Sequence, residues 1–481
     1  MESKTAMQKT LITMMLILLG AAARQSLADE FNSRRIQPDT THPRYWQYHG
    51  QAVLLLGGTK DDDLFQIPDL EEHLDLLAKV GGNYIRCVMS GRDKGSVWPF
   101  AQAEDGKVDL TRFNEEYWKR FDRMLKLTHE RQIIVQVEVW ALHDFFSGRW
   151  AANPWHPDNN TNYALAQSGL RKAYSGPSKV RHGFFVTVPK LKNNGVVLPH
   201  QQRFVDRLLA SALPYDHVLY CMTNEIHPLY PPEWGWYWAD YIRQQAQKQD
   251  KQVETSEMYW QTDLKHKRHR QSIDHPELFT FFEASQNSAI KGQSNWDNLQ
   301  HVWHALAKRP RPINHTKIYG ADMGQSWAGK DRNATARFWR NMIGGSASSR
   351  FHRPDTGMGL SAVAQSHLRS MRMLAAELDL FRCVPDSTSR LLLERNPDEA
   401  YLTRIDGEQY ALYLPAGGSV QLDLAGVEGA FSLRWLDISH SRWLAPQAIQ
   451  AGQKVQVTTP GKGHWAAVIK APGSSKTRKP R

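Results

Sequence analysis

The sequence alternates short apolar runs with amphipathic stretches from about residue 50 to residue 355, and this alternation narrows the choice of fold more than any other feature. Strands are predicted at 52–58, 83–90, 133–140, 217–226, 252–260, 278–285, 316–324 and 346–354. Most intervals show the three-to-four spacing of helices, and a last helix is predicted over 361–381. Such alternation produces parallel strands with crossover helices. The predicted fold is α/β, an eight-fold β/α (TIM) barrel with loop insertions. A doubly wound open sheet is the alternative, but no glycine-rich dinucleotide turn follows the first strand.

The chain changes character after about residue 385. Short strand-like runs are separated there by turn signals such as Asn396-Pro397, Asp406-Gly407 and Gly417-Gly418. This pattern predicts a small antiparallel β-sandwich over 385–470, after a barrel over 29–384. The basic stretch at 471–481, "APGSSKTRKPR", is predicted to be a disordered tail.

Residues 1–28 have the pattern of a secretory signal peptide. Lys4 and Lys9 precede the apolar run "LITMMLILL", which is too short to cross a bilayer. Ser26-Leu27-Ala28 matches a cleavage site, so the mature chain is predicted to begin near Asp29 and to be secreted or periplasmic. An uncleaved anchor is the alternative. The formal net charge of +11 favours anionic partners. Because the chain is predicted to be exported, we expect a carbohydrate rather than a nucleic acid, and no membrane contact after cleavage.

Polar residues at the strand ends are the candidate site residues, because the active site of a β/α barrel lies at the C-terminal ends of its strands. The fourth predicted strand ends in Asn224-Glu225. We predict that Glu225 is a general acid/base, with its pKa raised by apolar neighbours such as Met222 and Ile226. Amides and carboxylates bind sugar hydroxyls, and aromatic rings stack on sugar faces. The predicted substrate-binding residues are Asn224, Arg86, Asp62, Glu138, Trp140, His143, Tyr259, Trp260, Gln286, Asn287, Arg350 and His352. Of the nearby rings in "WGWYW", only Trp234 is expected to face substrate.

The Asn-Glu pair on the fourth strand resembles the large clan of retaining glycoside hydrolases with (β/α)8 folds. More narrowly, "LLLGGTKDDDLFQ" with "GGNYIRCVMS" resembles the opening of the apiosidase-like glycosidases. "YALYLPAGGSVQLDL" with "FSLRWLDISHSRW" is similar to their small C-terminal domain, which carries a collagen-binding label. The resemblance covers most of the mature chain. It implies that Glu225 is the acid/base, that Arg86 occupies a position where the clan often has arginine, and that a glutamate ending strand seven is the nucleophile.

Strand seven departs from that pattern, because "KIYGADMGQSW" contains no glutamate. Asp322 is its only carboxylate and is the first candidate partner of Glu225, as nucleophile or as a base that positions water. Glu283 on strand six is the rival, and a site with neither is the third alternative. A carboxyl separation of about 5–5.5 Å would imply retention of configuration, and one of about 6.5–9.5 Å inversion.

The eighth predicted strand, "SSRFHRP", places Arg350 and Arg353 around His352. Guanidinium groups suit carboxylate or sulfate, so an acidic glycan is among the candidate substrates; ion pairs that brace the rim are the alternative. No cofactor and no metal ligand set is predicted, since His143 and Asp144 lack a third ligand. The predicted function is a secreted glycoside hydrolase that cleaves O-glycosidic bonds of a polysaccharide or oligosaccharide. A non-catalytic carbohydrate- or matrix-binding protein on a degenerate barrel is the alternative.

Overall fold

The computed structural model describes residues 13–14, 25–26 and 28–473. Most of the predicted signal peptide, and the tail from residue 474 onward, lie outside the described residues. Within the part of the chain that is described, no helix has the length and apolar character needed to cross a membrane.

Eight parallel strands form the centre of the larger part of the chain. They are β1 (Leu55–Gly58), β2 (Tyr84–Val88), β3 (Ile134–Ala141), β4 (Val218–Asn224), β5 (Glu254–Ser256), β6 (Phe282–Glu283), β7 (Ile313–Ile318) and β8 (Ser348–Phe351). They make two four-stranded sheets, in the orders β5-β4-β3-β2 and β6-β7-β8-β1. Two backbone hydrogen bonds link the sheets at their edges, from Asn83 N to Leu56 O (2.9 Å) and from Thr280 N to Thr255 O (2.9 Å). The predicted α/β class is therefore observed.

One principal helix follows each strand. The helices are α1 (Leu70–Lys79), α2 (Glu115–Glu130), α3 (Leu198–Ala212), α4 (Glu233–Gln247), α5 (Arg270–Ile273), α6 (Gly292–Ala305), α7 (Asp331–Ile343) and α8 (Ala362–Glu377). In α2, Tyr117, Phe121 and Met124 are buried at helical spacing, and the Asn114 side chain caps the first turn by accepting from Glu116 N (3.1 Å). α2 thus lays an apolar stripe against the sheets.

Several short helices and strands lie outside the eight strand–helix units. The short helices Ser147–Ala151 and Leu165–Ser168 lie in the long insertion between β3 and α3. The short strands of the N-terminal part precede α2. They are Gln37–Pro38, Trp46–Tyr48, Gln51–Val53, Phe100–Gln102 and Val108–Phe113. The first three form an antiparallel sheet before β1.

Close packing of β1 against β2 depends on Gly57. A Cβ atom at this position would lie 1.9 Å from Tyr84 O, so only glycine lets the two strands approach as they do. Gly57 therefore sets the distance between β1 and β2, where the two sheets meet.

The strand predicted at 316–324 is displaced toward the N-terminus and spans Ile313–Ile318. After Ile318 the chain leaves the sheet, because Gly320 adopts a φ of 122° and donates its N–H to Thr356 O (2.8 Å). Asp322 consequently lies in a loop. The prediction erred because "INHTKI" is polar, although all six residues are buried.

The C-terminal part is all β and antiparallel, as expected. Its strands are Val384–Pro385, Leu392–Leu393, Tyr401–Ile405, Gln409–Leu414, Ser419–Asp423, Ala430–Asp437, Arg442–Trp443, Gln447–Gln450, Lys454–Thr458 and Trp465–Lys470. They form a seven-stranded and a three-stranded sheet. The larger sheet packs on α7, where Trp339 stacks on Tyr413 (5.8 Å between ring centroids), and on α8, where Ser370 Oγ donates to Ile438 O (2.8 Å).

Candidate active site

Glu225 directly follows β4 and collects polar side chains from other strand ends. Lys317, the penultimate residue of β7, forms an ion pair with Glu225 Oε1 and also donates to Asn224 Oδ1 (2.5 Å). Gln286 Nε2 donates to the same Oε1 atom (2.8 Å), and so does the Tyr319 hydroxyl (3.3 Å). One carboxylate oxygen is therefore bound by donors from the ends of β6 and β7.

The second oxygen of Glu225 faces the end of β3. His143 Nε2 lies 2.9 Å from Glu225 Oε2. The side chain of His143 is 32% exposed, whereas that of Glu225 is 13% exposed, so the imidazole is the more accessible member of the pair. His143 therefore lies between Glu225 Oε2 and solvent.

These contacts keep Glu225 ionised. Burial alone would raise the pKa of its carboxyl group, but the charge of Lys317 and the hydrogen bond from His143 outweigh burial and hold that pKa well below its usual range. This is the opposite of the raised pKa that the sequence led us to expect. In this geometry Glu225 is a carboxylate, able to act as a base or nucleophile.

The backbone at Glu225 is in a conformation that few residues with side chains adopt. Its φ is 66°, in the left-handed region. Non-glycine residues in this region cost about 1–3 kcal/mol and are concentrated at functional sites. The next residue, Ile226, returns to regular pairing, donating its N–H to Met258 O (2.8 Å). The turn thus occurs at the one residue whose carboxylate receives the converging donors.

Aromatic rings pack near two of the residues that bind this carboxylate. The Trp260 ring is 5.0 Å from the ring of His143, the residue bound to Oε2. The Trp327 ring is 5.1 Å from the ring of Tyr319, which donates to Oε1, and Trp327 is 54% exposed. Gln325 fixes the indole by accepting from its Nε1 (2.7 Å). Trp327 therefore offers an exposed, oriented, flat apolar surface next to Tyr319, a donor to the Glu225 carboxylate.

A second polar cluster centres on Arg86 of β2, which is fully buried. Arg86 forms ion pairs with Asp62 and, at 2.6 Å, with Glu138 of β3. Arg92 joins Asp62 (2.7 Å) to Asp144 (2.6 Å). Burial opposes ionisation of Asp62, yet the surrounding cations, Arg86 foremost, hold its pKa well below its usual range. The charged side chains of this cluster are therefore paired with one another.

Arg350 of β8 and His352 in the loop that follows, both predicted to bind substrate, lie at the edge of this cluster. His352 Nε2 lies 3.9 Å from Asp62, and its Nδ1 accepts from Arg350 (3.2 Å). Arg350 is completely buried and also donates to Thr316 O (2.6 Å) and to the Thr59 hydroxyl. Its donors are therefore used inside the protein, which removes the sequence argument that Arg350 meets an acidic sugar.

Neither candidate partner carboxylate forms an ion pair or hydrogen bond with Glu225 within the described residues. Asp322 is exposed, and its carboxylate accepts from Asp331 N (3.2 Å) at the start of α7. Glu283 is buried and accepts from Gln136 Nε2 (2.8 Å) and Ser285 N (3.0 Å); burial raises its pKa to about 7. Asp322 thus caps a helix, and Glu283 lies inside the sheet layer.

Four other aromatic or amide residues predicted to face substrate are buried, and within the described residues their side chains form no hydrogen bond or ring contact with Glu225 or the residues bound to it. Trp140 is buried among rings that include Trp234, at 5.9 Å, and Trp234 itself is fully buried. Tyr259 is buried with its ring 5.8 Å from that of His269. Asn287 is fully buried and donates to Asn295 O (2.8 Å) in α6. The expectation that Trp234 faces substrate was wrong, because α4 packs this ring onto the sheet.

Sequence reasoning missed Lys317 and Tyr319, the two residues of strand seven and its exit that contact Glu225. A carboxylate is the expected partner of Glu225, and the sequence pattern predicts that this strand begins at residue 316 rather than at Ile313, so Lys317 is expected near its start. A lysine within a buried β-run is the signal that was present. A buried ammonium requires a carboxylate partner.

Two groups of described side chains offer ligand atoms within 4.8 Å of one another, as a metal ion requires. One comprises Asp61, Asp63 and Asp93, on the loops that follow β1 and β2. The other comprises His129, Asp216 and His217, which lie before β4 and therefore away from the strand end that carries Glu225.

No family model matches the chain, and a search of curated proteins finds no match. Solved structures do match. A protein described as a glycoside hydrolase superposes with a TM-score of 0.63 at 11% sequence identity, over 92% of this chain and 97% of its own. A family 5 glycoside hydrolase from Bacteroides vulgatus gives a TM-score of 0.62 at 14% identity, over 92% of this chain and 94% of its own. The chain therefore has the fold of these glycoside hydrolases.

Proposed function

We propose that the protein is a secreted glycoside hydrolase on a closed (β/α)8 barrel, and that its active site surrounds Glu225. One observation carries this proposal: donors from the ends of β3, β6 and β7 converge on a single carboxylate at the end of β4. In β/α barrels that end of the strands holds the active site. The similarity in fold to glycoside hydrolases agrees with this assignment.

The rings beside Glu225 support a carbohydrate substrate. Trp260 packs near His143 and Trp327 near Tyr319, two residues that bind Glu225, and Asn224, Gln286 and Tyr319 supply hydrogen-bonding groups at the same strand ends. Stacked rings with interspersed amide and hydroxyl groups match the alternating apolar faces and hydroxyls of a sugar chain. Since Arg350 is enclosed, an acidic sugar has no special support from β8.

The proposed role of Glu225 follows from its charge. Hydrolysis of a glycosidic bond removes one proton from water and delivers one to the leaving oxygen. In the resting site Glu225 is ionised by Lys317 and is ready to accept a proton or attack carbon. His143 is hydrogen-bonded to Glu225 and one-third exposed, so we assign it the transfer of protons to and from this carboxylate.

The test is hydrolysis of a panel of neutral and acidic polysaccharides by the mature chain, measured as released reducing ends. We expect Glu225→Gln to lower the rate about 10²–10⁴-fold on any substrate that is cleaved. Glu72→Gln, an exposed position on α1, is the matched control and should leave the rate unchanged. Equal product release by wild type and Glu225→Gln would refute the assignment.

The ion pair between Lys317 and Glu225 favours a second candidate function. Where the resemblance implies a nucleophilic carboxylate at the end of β7, this chain has an ammonium group that neutralises Glu225. A carbohydrate-binding protein that does not hydrolyse its ligand fits that arrangement. Binding without product release, measured by calorimetry on the same panel, would select it over the hydrolase.

A further inference from the structure

The group formed by His129, Asp216 and His217 lies at the opposite end of β4 from Glu225. His129 is in the last turn of α2, and Asp216 and His217 immediately precede β4. Their ligand atoms lie within 4.8 Å of one another. His129 Nδ1 is 3.5 Å from one Asp216 oxygen. The end of α2 and the start of β4 therefore bring imidazole and carboxylate groups together.

A second histidine reaches Asp216 from the N-terminal strands. His49 Nε2 is 3.2 Å from the other oxygen of Asp216, and the Tyr48 hydroxyl donates to the carboxylate at 2.8 Å. Ligands around a tetrahedral Zn²⁺, with bonds of 2.0–2.2 Å, are roughly 3.3–3.5 Å apart. The spacings from His49 and His129 to the Asp216 carboxylate are close to this value.

His217 provides an independent indication of a missing ligand. It is fully buried, and its Nε2 lies 2.8 Å from Thr128 Oγ1. The Thr128 hydroxyl donates to Met124 O (2.8 Å), so it accepts from the imidazole, which fixes the proton on Nε2. Nδ1 is then a bare lone pair, and within the described residues it has no hydrogen-bond partner.

A buried imidazole with one nitrogen anchored and the other unsatisfied has the arrangement of a metal ligand. In metal sites the outer N–H of a ligating histidine is hydrogen-bonded to a neighbouring group, which sets the tautomer and the ring orientation. Thr128 has this position relative to His217. An unsatisfied buried acceptor is unfavourable for the folded state, and a bound cation would remove that cost.

We propose that His129, Asp216 and His217 bind a transition-metal ion of the Zn²⁺ class, and that His49 holds the other oxygen of Asp216 beside the site. Imidazole and carboxylate suit zinc, whereas calcium and magnesium prefer all-oxygen sites. The ion would tie the end of α2 to the start of β4, and the contacts of Tyr48 and His49 with Asp216 would join the hairpin before β1 to them. Because it lies at the far end of β4, its role is structural and separate from hydrolysis.

The experiment uses the tag-free mature chain, stripped with EDTA and dialysed, then titrated with ZnCl₂ by calorimetry. We expect one ion per chain and a rise in Tm of about 3 °C at one hundred times the Kd. CoCl₂ should give the visible absorption of a tetrahedral site. CaCl₂ and MgCl₂ should leave Tm unchanged. Zinc that neither binds nor shifts the Tm of the wild-type chain would overturn the proposal.

Variants locate the site. His129→Ala removes an accessible ligand on the surface of α2, and Asp216→Asn keeps the shape of a second; each should weaken zinc binding at least tenfold. His440→Ala is the matched control, because His440 also pairs with an aspartate, at 2.8 Å, but has no third ligand group among the described residues. Equal binding by His129→Ala and His440→Ala would place the ion elsewhere, for example on the basic segment 265–270, and refute the assignment. Glu225→Gln should bind zinc as wild type does.

Discussion

Replacing Lys317 with methionine tests the central electrostatic claim about the site. The Lys317 side chain is 2% exposed and that of its partner Glu225 is 13% exposed, so solvent screens the pair little. Removing one partner of a buried ion pair costs about 3–5 kcal/mol, because the remaining charge is left without compensation. For a chain of this length, 1 kcal/mol corresponds to about 1 °C in Tm. We expect Lys317→Met to lower Tm by about 3–5 °C at pH 7.

The dependence on pH makes this prediction specific. In the wild type the pKa of Glu225 is depressed, so the stability it contributes is present above its unfolded pKa of about 4.3 and is lost only as pH falls through the lower folded value. In Lys317→Met, burial dominates and raises the pKa, so the carboxyl gains a proton in mild acid. The Tm difference between the two chains should therefore be largest at pH 7–8 and smaller at pH 5.

The assay is thermal unfolding followed by circular dichroism from pH 5 to pH 8. Lys126→Met is the control, since the side chain of Lys126 is 71% exposed and should give no measurable change. The double variant Lys317→Met/Glu225→Gln should recover most of the lost stability, because a neutral amide replaces the isolated charge. A loss of Tm that is equal at every pH, or a double variant no better than the single one, would refute the reasoning.

Three further outcomes are expected. Trp327→Ala should raise KM about 2- to 10-fold with little change in kcat, whereas Trp327→Phe should restore affinity; equal KM values for all three proteins would contradict a stacking role. Glu257→Gln should change stability by less than about 1 kcal/mol at pH 7, because burial holds the pKa of Glu257 well above its usual range and the group is already neutral; a larger loss in urea unfolding would show that it is charged. Glu283, with a pKa raised to about 7, should make the wild type less stable as pH rises from about 4.3 to 7, and Glu283→Gln should remove that slope in urea unfolding.

Part of the site was predictable from strand ends alone. Asn224, Glu225, His143 and Gln286 were chosen because parallel strands deliver their C-terminal residues to one edge, and the structure brings these four together. That argument needs only the order of strands and their approximate ends. It works for β3, β4 and β6, where an apolar run stops at a polar pair.

The rest depends on register and tertiary packing. Asp322 was misplaced because the apolar pattern of strand seven does not show where the chain leaves the sheet, which the backbone of Gly320 decides. Trp140 and Trp234 were misplaced because the long insertion after β3 contributes Phe184, which packs against both rings. The hydrophobic periodicity of the sequence shows that an aromatic residue lies on a given strand or helix. It does not show which side chain covers that residue, because the covering side chain comes from an insertion that has no such periodicity.

The ion pair with Lys317 also predicts how the charge of Glu225 changes during a catalytic cycle. The same ammonium binds Asn224 Oδ1 and Glu225 Oε1, so a sugar hydroxyl that binds Asn224 competes for it. Displacing Lys317 removes the charge that depresses the pKa of Glu225, while burial, which raises it, increases with substrate bound. Glu225 would then become a proton donor only in the complex. Because kcat/KM reports the free enzyme and kcat the complex, and because a proton donor loses activity as pH rises through its pKa, the alkaline limb of the kcat profile should lie at higher pH than that of kcat/KM. Coincident alkaline limbs on a cleaved substrate would show that Lys317 keeps its contact throughout, and would leave Glu225 a base or nucleophile in both states.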